Sequence, residues 1–103
     1  MNRYIELNEV TKKIDLPDGQ SVVLLDRLAK EPLYGAIECA RNIFLIKKTG
    51  EVIWQIKTEF DLDGDPFTNI FYEESKLKAY RWDGGVYTIN ETTGSAIPVS
   101  LMK

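Results

Sequence analysis

The sequence predicts an all-β fold: two successive antiparallel four-stranded meanders packed as a small sandwich or flattened barrel, with an N-terminal edge strand or hairpin. Three observations carry that expectation. Short alternating or β-branched apolar segments recur along the chain, and turn chemistry built on Gly, Pro, Asn and Asp separates them. No stretch shows the long 3.6-residue apolar period of an amphipathic helix. At 103 residues the chain has room for one core, burying roughly two-thirds of the surface its unfolded form exposes. Residues 1–103 are therefore read as one β domain.

Taken in order, residues 4–7 alternate weakly and supply the edge element. Pro17-Asp18-Gly19-Gln20 is a turn, because proline presets φ and glycine accepts φ > 0. The run from Ser21 to Leu25 is apolar and β-branched, and the first meander is expected from there onward. Leu28-Ala29-Lys30-Glu31 makes one helical turn that Pro32 stops. Residues 34–40 and 43–47 read as strands. The clearest unit is the hairpin of residues 42–56, with Lys-Lys-Thr-Gly in its turn. Period-two alternation puts Val52, Trp54 and Ile56 on one face, with Gln55 and Lys57 opposite. Four further strands follow, at 69–73, 77–82, 86–90 and 96–101. Pro98 places the last of them at a sheet edge, since a proline cannot donate to an inner ladder.

The two halves look alike. An offset of 43 sets Ala36 on Ala79, Ile43 on Val86, Phe44 on Tyr87 and Ile46 on Ile89. With one inserted residue, Gly50 falls on Gly94 and Ile53 on Ile97. A spacing of about forty residues is that of a four-stranded propeller blade. The segments Asn42-Ile-Phe-Leu-Ile-Lys-Lys-Thr-Gly-Glu-Val-Ile-Trp-Gln and Gly85-Val-Tyr-Thr-Ile-Asn-Glu-Thr-Thr-Gly resemble quinoprotein-type β-propeller repeats, over residues 34–101. Lys47 and Asn90 stand where that pattern has Asp, and Val99 where it has Trp. Two units cannot close a propeller, which needs at least four blades. The resemblance thus implies paired β-meanders, with no propeller and no quinone cofactor.

Composition removes several function classes. Thirteen Lys and Arg against sixteen Asp and Glu leave a net charge of −3, the wrong sign for neutralising phosphates. No nucleic-acid partner is expected. The single Cys39 forms no internal disulfide and reads as a small buried hydrophobe. With no histidine in the chain, Cys39 lacks a base and general acid–base chemistry lacks its usual agent. There is no Gly-x-Ser-x-Gly elbow and no zinc-type Cys/His cluster. A core this small seldom also encloses a substrate cleft, so the chain reads as a non-enzyme without cofactor. The first residues carry no continuous apolar stretch and the longest apolar runs are far too short to span a bilayer. The expectation is a cytoplasmic protein with no membrane partner.

The most conspicuous chemistry is acidic. Between Glu59 and Glu74 lie Glu59, Asp61, Asp63, Asp65, Glu73 and Glu74, with no Lys or Arg among them. The spacing Asp61-x-Asp63-x-Asp65 matches the first ligands of an EF-hand loop, but Gly64 and Pro66 are misplaced, Tyr72 stands where a bidentate Glu belongs, and strands flank it. No metal site is assigned, and a solvated acidic loop is the plain alternative. The same stretch also reads as a recognition surface. Glu59, Asp61, Asp63, Asp65, Glu73 and Glu74 would steer a basic protein, and Phe67, Tyr72 and Trp82 would supply buried rings. Trp82-Asp83-Gly84-Gly85 is a hairpin turn whose exposed tryptophan could join them. Lys12-Lys13 and Lys47-Lys48 are edge-guarding lysines.

In size, charge, compartment and missing chemistry the chain resembles the small acidic bacterial immunity proteins that occlude basic nuclease toxins. That resemblance implies a non-catalytic, protein-binding inhibitor. A sugar- or metal-binding module using the Asp61–Asp65 loop, and a structural subunit pairing through sheet edges, are the alternatives.

Overall fold

A computed structural model describes residues 3–59, 61, 65–82 and 84–100. It contains two four-stranded antiparallel sheets, each with its strands in chain order. The first comprises β1 (Val10–Asp15), β2 (Ser21–Leu25), β3 (Ile43–Ile46) and β4 (Val52–Gln55); the second comprises β5 (Phe67–Glu73), β6 (Lys76–Arg81), β7 (Val86–Ile89) and β8 (Ala96–Ser100). The all-β, two-meander expectation holds. The membership of the first meander differs, however. It begins at Val10, and the segment read as a strand at 34–40 is helical: α1 (Glu31–Tyr34) and α2 (Ala36–Ala40).

Pro32 explains part of that difference. It falls in the first turn of α1, where a missing N–H costs nothing, so it opens the helix that it was expected to stop. Gly35, at φ 86°, caps α1 and turns the chain into α2.

The sheets face one another across a shared core. Val22 and Leu24 of β2, Ile43 and Leu45 of β3, and Trp54 meet Ile70, Leu77, Ala79, Tyr87 and Ile89 of the second sheet. The molecule is 21 Å along its short axis, the thickness of two stacked sheets about 10 Å apart with their outer side chains. The central strands of the first sheet, β2 and β3, are buried on both faces. Val23, Leu25, Phe44 and Ile46 form a second cluster on its far side. There Ile5 joins them, and Arg3 lies over the Phe44 ring at 4.8 Å. The segment around Tyr4 is held by a bridge to Glu51, beside the start of β4.

Bulges redirect two strands. Leu45 pairs with Trp54 but Ile46 with Val52, so Ile53 is an extra residue in β4. Trp54 and Ile56 enter the shared core, while Val52 packs against the far cluster. The expected common face of Val52, Trp54 and Ile56 is broken at that point. In β8 the register shifts similarly, leaving Val99 as the extra residue, and β8 is an edge of its sheet, as Pro98 requires. A parallel bridge from Lys57 to Ser95 ties the end of the first meander to the last strand of the second.

Candidate functional site

The described acids expected to form one surface go to four places. Asp61 turns inward and is only 3% exposed. Its carboxylate accepts hydrogen bonds from Arg81 Nη2 at 2.8 Å, Arg41 Nε at 2.7 Å, and the amide and hydroxyl of Thr58 at 2.9 Å each. Burial alone would raise its pKa. The donors from Thr58, Arg81 and Arg41 outweigh that, and the carboxyl is held below its ordinary value. Arg81, 1% exposed, also donates to the Ala40 carbonyl and the Tyr87 hydroxyl. Its guanidinium lies over the Phe67 and Tyr87 rings at 4.2 and 4.9 Å.

Asp61 and Phe67 are therefore not recognition residues. Phe67 is 2% exposed and packs edge-on against Tyr87. Asp61 is consumed by two guanidiniums, which also takes the first carboxylate from any metal loop. Asp63 lies outside the described residues.

The other expected residues occupy opposite ends of the second sheet. Tyr72, Glu73 and Glu74 stand at the β5–β6 hairpin, whose turn residues Glu74 and Ser75 both have positive φ. Tyr72 donates to Glu91 Oε1 at 2.5 Å, and Glu73 pairs with Lys78 at 2.8 Å. Burial and the neighbouring Glu91 carboxylate push the Tyr72 phenol up to about 12. Asp65 and Trp82 lie at the other end of β5, roughly 20 Å away at the usual rise per residue. Glu59 is exposed at a third position, on the rim of a 520 Å³ cleft that Arg41, Lys57 and Ser95 also line.

Around Asp65 and Trp82 the structure gathers a set of side chains that sequence reading missed. Trp82 is 58% exposed and shares a recess with Leu28, Pro66 and Cys39. On the neighbouring helices Leu33 is 77% exposed, and Tyr34 and Ile37 are also exposed. The segment of residues 26–40, a hook between β2 and β3, is pinned at its start. The Asp26 carboxylate accepts the Leu28 amide, Ala29 takes φ 60°, and Arg27 pairs with Glu9 at 3.1 Å beneath the Tyr34 ring. These rings and aliphatic groups are left uncovered at the surface. Asp26, Glu31 and Asp65 border them. The signal that was available was Pro32 followed by Gly35, a helix start and stop three residues apart.

Cys39 is buried at the base of this recess, and burial pushes its thiol pKa up, keeping it protonated. Among the described residues no three Asp, Glu, Cys or His side chains are grouped to hold a metal ion. No helix among them is long and apolar enough to cross a membrane. No curated protein and no solved structure matches the chain. One family model does match, over residues 2–100, and the chain belongs to the family it describes, Domain of unknown function (DUF7957).

Proposed function

We propose that this domain is a non-catalytic protein-binding protein, an inhibitor of the immunity or antitoxin type that neutralises a basic, nuclease-like partner in the bacterial cytoplasm by occluding it. The observation that carries the reading is the hook end of the molecule. There Leu28, Leu33, Tyr34, Ile37 and Trp82 are exposed together beside Asp26, Glu31 and Asp65. Rigid apolar anchors give affinity by burial, and bordering carboxylates steer a cationic partner and fix its orientation. The seat of recognition has therefore moved from the expected acidic loop to this end, with Asp65 and Trp82 retained from the original set.

The test is capture of the partner on the full-length chain, followed by association and dissociation kinetics at two salt concentrations. Association should slow as salt rises, because the carboxylates are exposed and screened. Trp82→Ala should raise the dissociation rate by about thirtyfold, the effect of a buried anchor contributing roughly 2 kcal/mol. A partner whose kinetics ignore both salt and Trp82→Ala would remove the support for this reading. A reading frame for a large toxin immediately upstream of this one would favour it independently.

A further inference from the structure

We infer that the recess between Leu28 and Trp82 is an anchor pocket for one apolar side chain, presented by a basic segment of a partner protein. This rests on the protein-binding reading above and names what its surface grips. The recess measures 180 Å³, slightly more than the ~150 Å³ apolar cavity that admits a benzene ring. Leu28, Ala29, Cys39, Pro66 and Trp82 supply the apolar part of its lining. A leucine or methionine side chain buries its hydrocarbon against those walls, while the charged part of the lining is left to its neighbours in the segment.

Arg27 also lines the recess, and it is 94% buried by its 6% exposure. Its Nη1 donates to the Asp26 carbonyl and its Nη2 to Glu9. Its Nε is buried and has no hydrogen-bond partner among the described residues. A buried N–H without an acceptor is costly to leave unmade. The Arg27 charge is already matched by Glu9, so it does not call for an acidic ligand. Glu31 and Asp65 line the same recess, and Asp26 is exposed one residue from Arg27. Lysine or arginine on either side of the anchor side chain complements Glu31 and Asp26.

Three peptides test this on the full chain: acetyl-Lys-Leu-Lys-amide, acetyl-Lys-Ser-Lys-amide and acetyl-Glu-Leu-Glu-amide, followed by nitrogen–proton correlation spectra. The Lys-Leu-Lys peptide should bind with a dissociation constant on the order of 1–10 mM, as expected for so small a ligand. It should shift the Arg27 Nε–H and Trp82 indole signals together. The serine peptide should bind about tenfold or more weakly, from the lost side-chain burial. The Glu-Leu-Glu peptide should be weaker at low salt, with the gap narrowing at high salt. Trp82→Ala, an exposed site that leaves folding intact, should abolish the selection of leucine. Equal binding of the leucine and serine peptides, or shifts that avoid Arg27 and Trp82, overturns the pocket. The two levels fail separately. If a captured partner responds to salt but not to Trp82→Ala, the pocket falls and protein binding stands. If leucine is selected but no protein partner displaces the peptide, the broader reading falls.

Discussion

Asp61→Asn is the substitution whose outcome the structure specifies most tightly. The carboxylate sits between Arg81 and Arg41 and takes two more hydrogen bonds from Thr58, four donors on two oxygens. An asparagine of the same shape keeps one acceptor oxygen. Its amide nitrogen would then face a donor from Arg41, Arg81 or Thr58, wherever it is placed. The change also removes the Asp61 charge from the buried Arg81. Breaking a buried pair by removing one partner costs about 3–5 kcal/mol, a large share of the 5–15 kcal/mol that holds a typical domain. For a chain of this length that corresponds to a fall in melting temperature of about 12 °C or more. Thermal and urea unfolding, monitored by circular dichroism, measure it directly. The exposed control Glu59→Gln should leave the midpoint almost unchanged.

The pH profile gives a second readout with a definite sign. The folded pKa of Asp61 is depressed, so its stabilisation is complete above the unfolded value of about 4. It is lost as pH falls through the lower folded value. The parent chain should therefore lose stability on acidification below about pH 4, and Asp61→Asn should lack that part of the loss. If Asp61→Asn melts with the Glu59→Gln control and keeps the parent's acid profile, the buried ion cluster as described is wrong.

Three other outcomes follow from the same structure. Gly94→Ala should destabilise by about 2–4 kcal/mol in urea titration, because an added Cβ would stand 2.8 Å from Trp54 Cε3 and φ is +83°. Trp54, whose indole donates to the Glu91 carbonyl from inside the shared core, should emit at short wavelength in a Trp82→Phe background, and Trp54→Ala should cost about 3–5 kcal/mol. The Tyr72 phenol should ionise near its raised value of about 12 by ultraviolet absorbance, and Glu91→Gln should move it down. Because that pKa is raised, the contribution of the pair is present below pH 10 and is lost as pH rises through 12.

Local chemistry was legible in the sequence, and long-range pairing was not. Turn residues and β-branched runs located seven of the eight strands to within a few residues, because those signals act between neighbours. The offset repeat aligned β3 with β7 and β4 with β8. It missed the face by one step, since Ile43 and Leu45 look into the shared core from one sheet, and Tyr87 and Ile89 from the other. Residues 34–40 misled because Tyr-Gly-Ala-Ile-Glu-Cys-Ala alternates like a strand, while the caps that make it helical lie at its margins. Asp61 looked like one solvent-facing acid among six because its partners, Arg41 and Arg81, each stand twenty residues away. Nothing in a charge run records which member turns inward.

The two sheets are not equal partners in assembly. The first has hydrocarbon packed on both faces, with its own cluster around Phe44 in addition to the shared core. Among the described residues the second contributes its buried hydrocarbon to the shared core alone. Every ladder joins strands adjacent in the chain; the second meander closes through short loops at low entropic cost, while the first spans residues 26–42, with both helices, between β2 and β3. The distant contacts are those between sheets, such as the buried Asn42, whose amide donates to the carbonyls of Leu25 and Phe67 and accepts the Phe67 amide. Asn42 is thus the latch that registers the start of β5 against the first sheet. Amide exchange should be slowest in β2 and β3, whose residues are buried throughout, and faster in the second sheet.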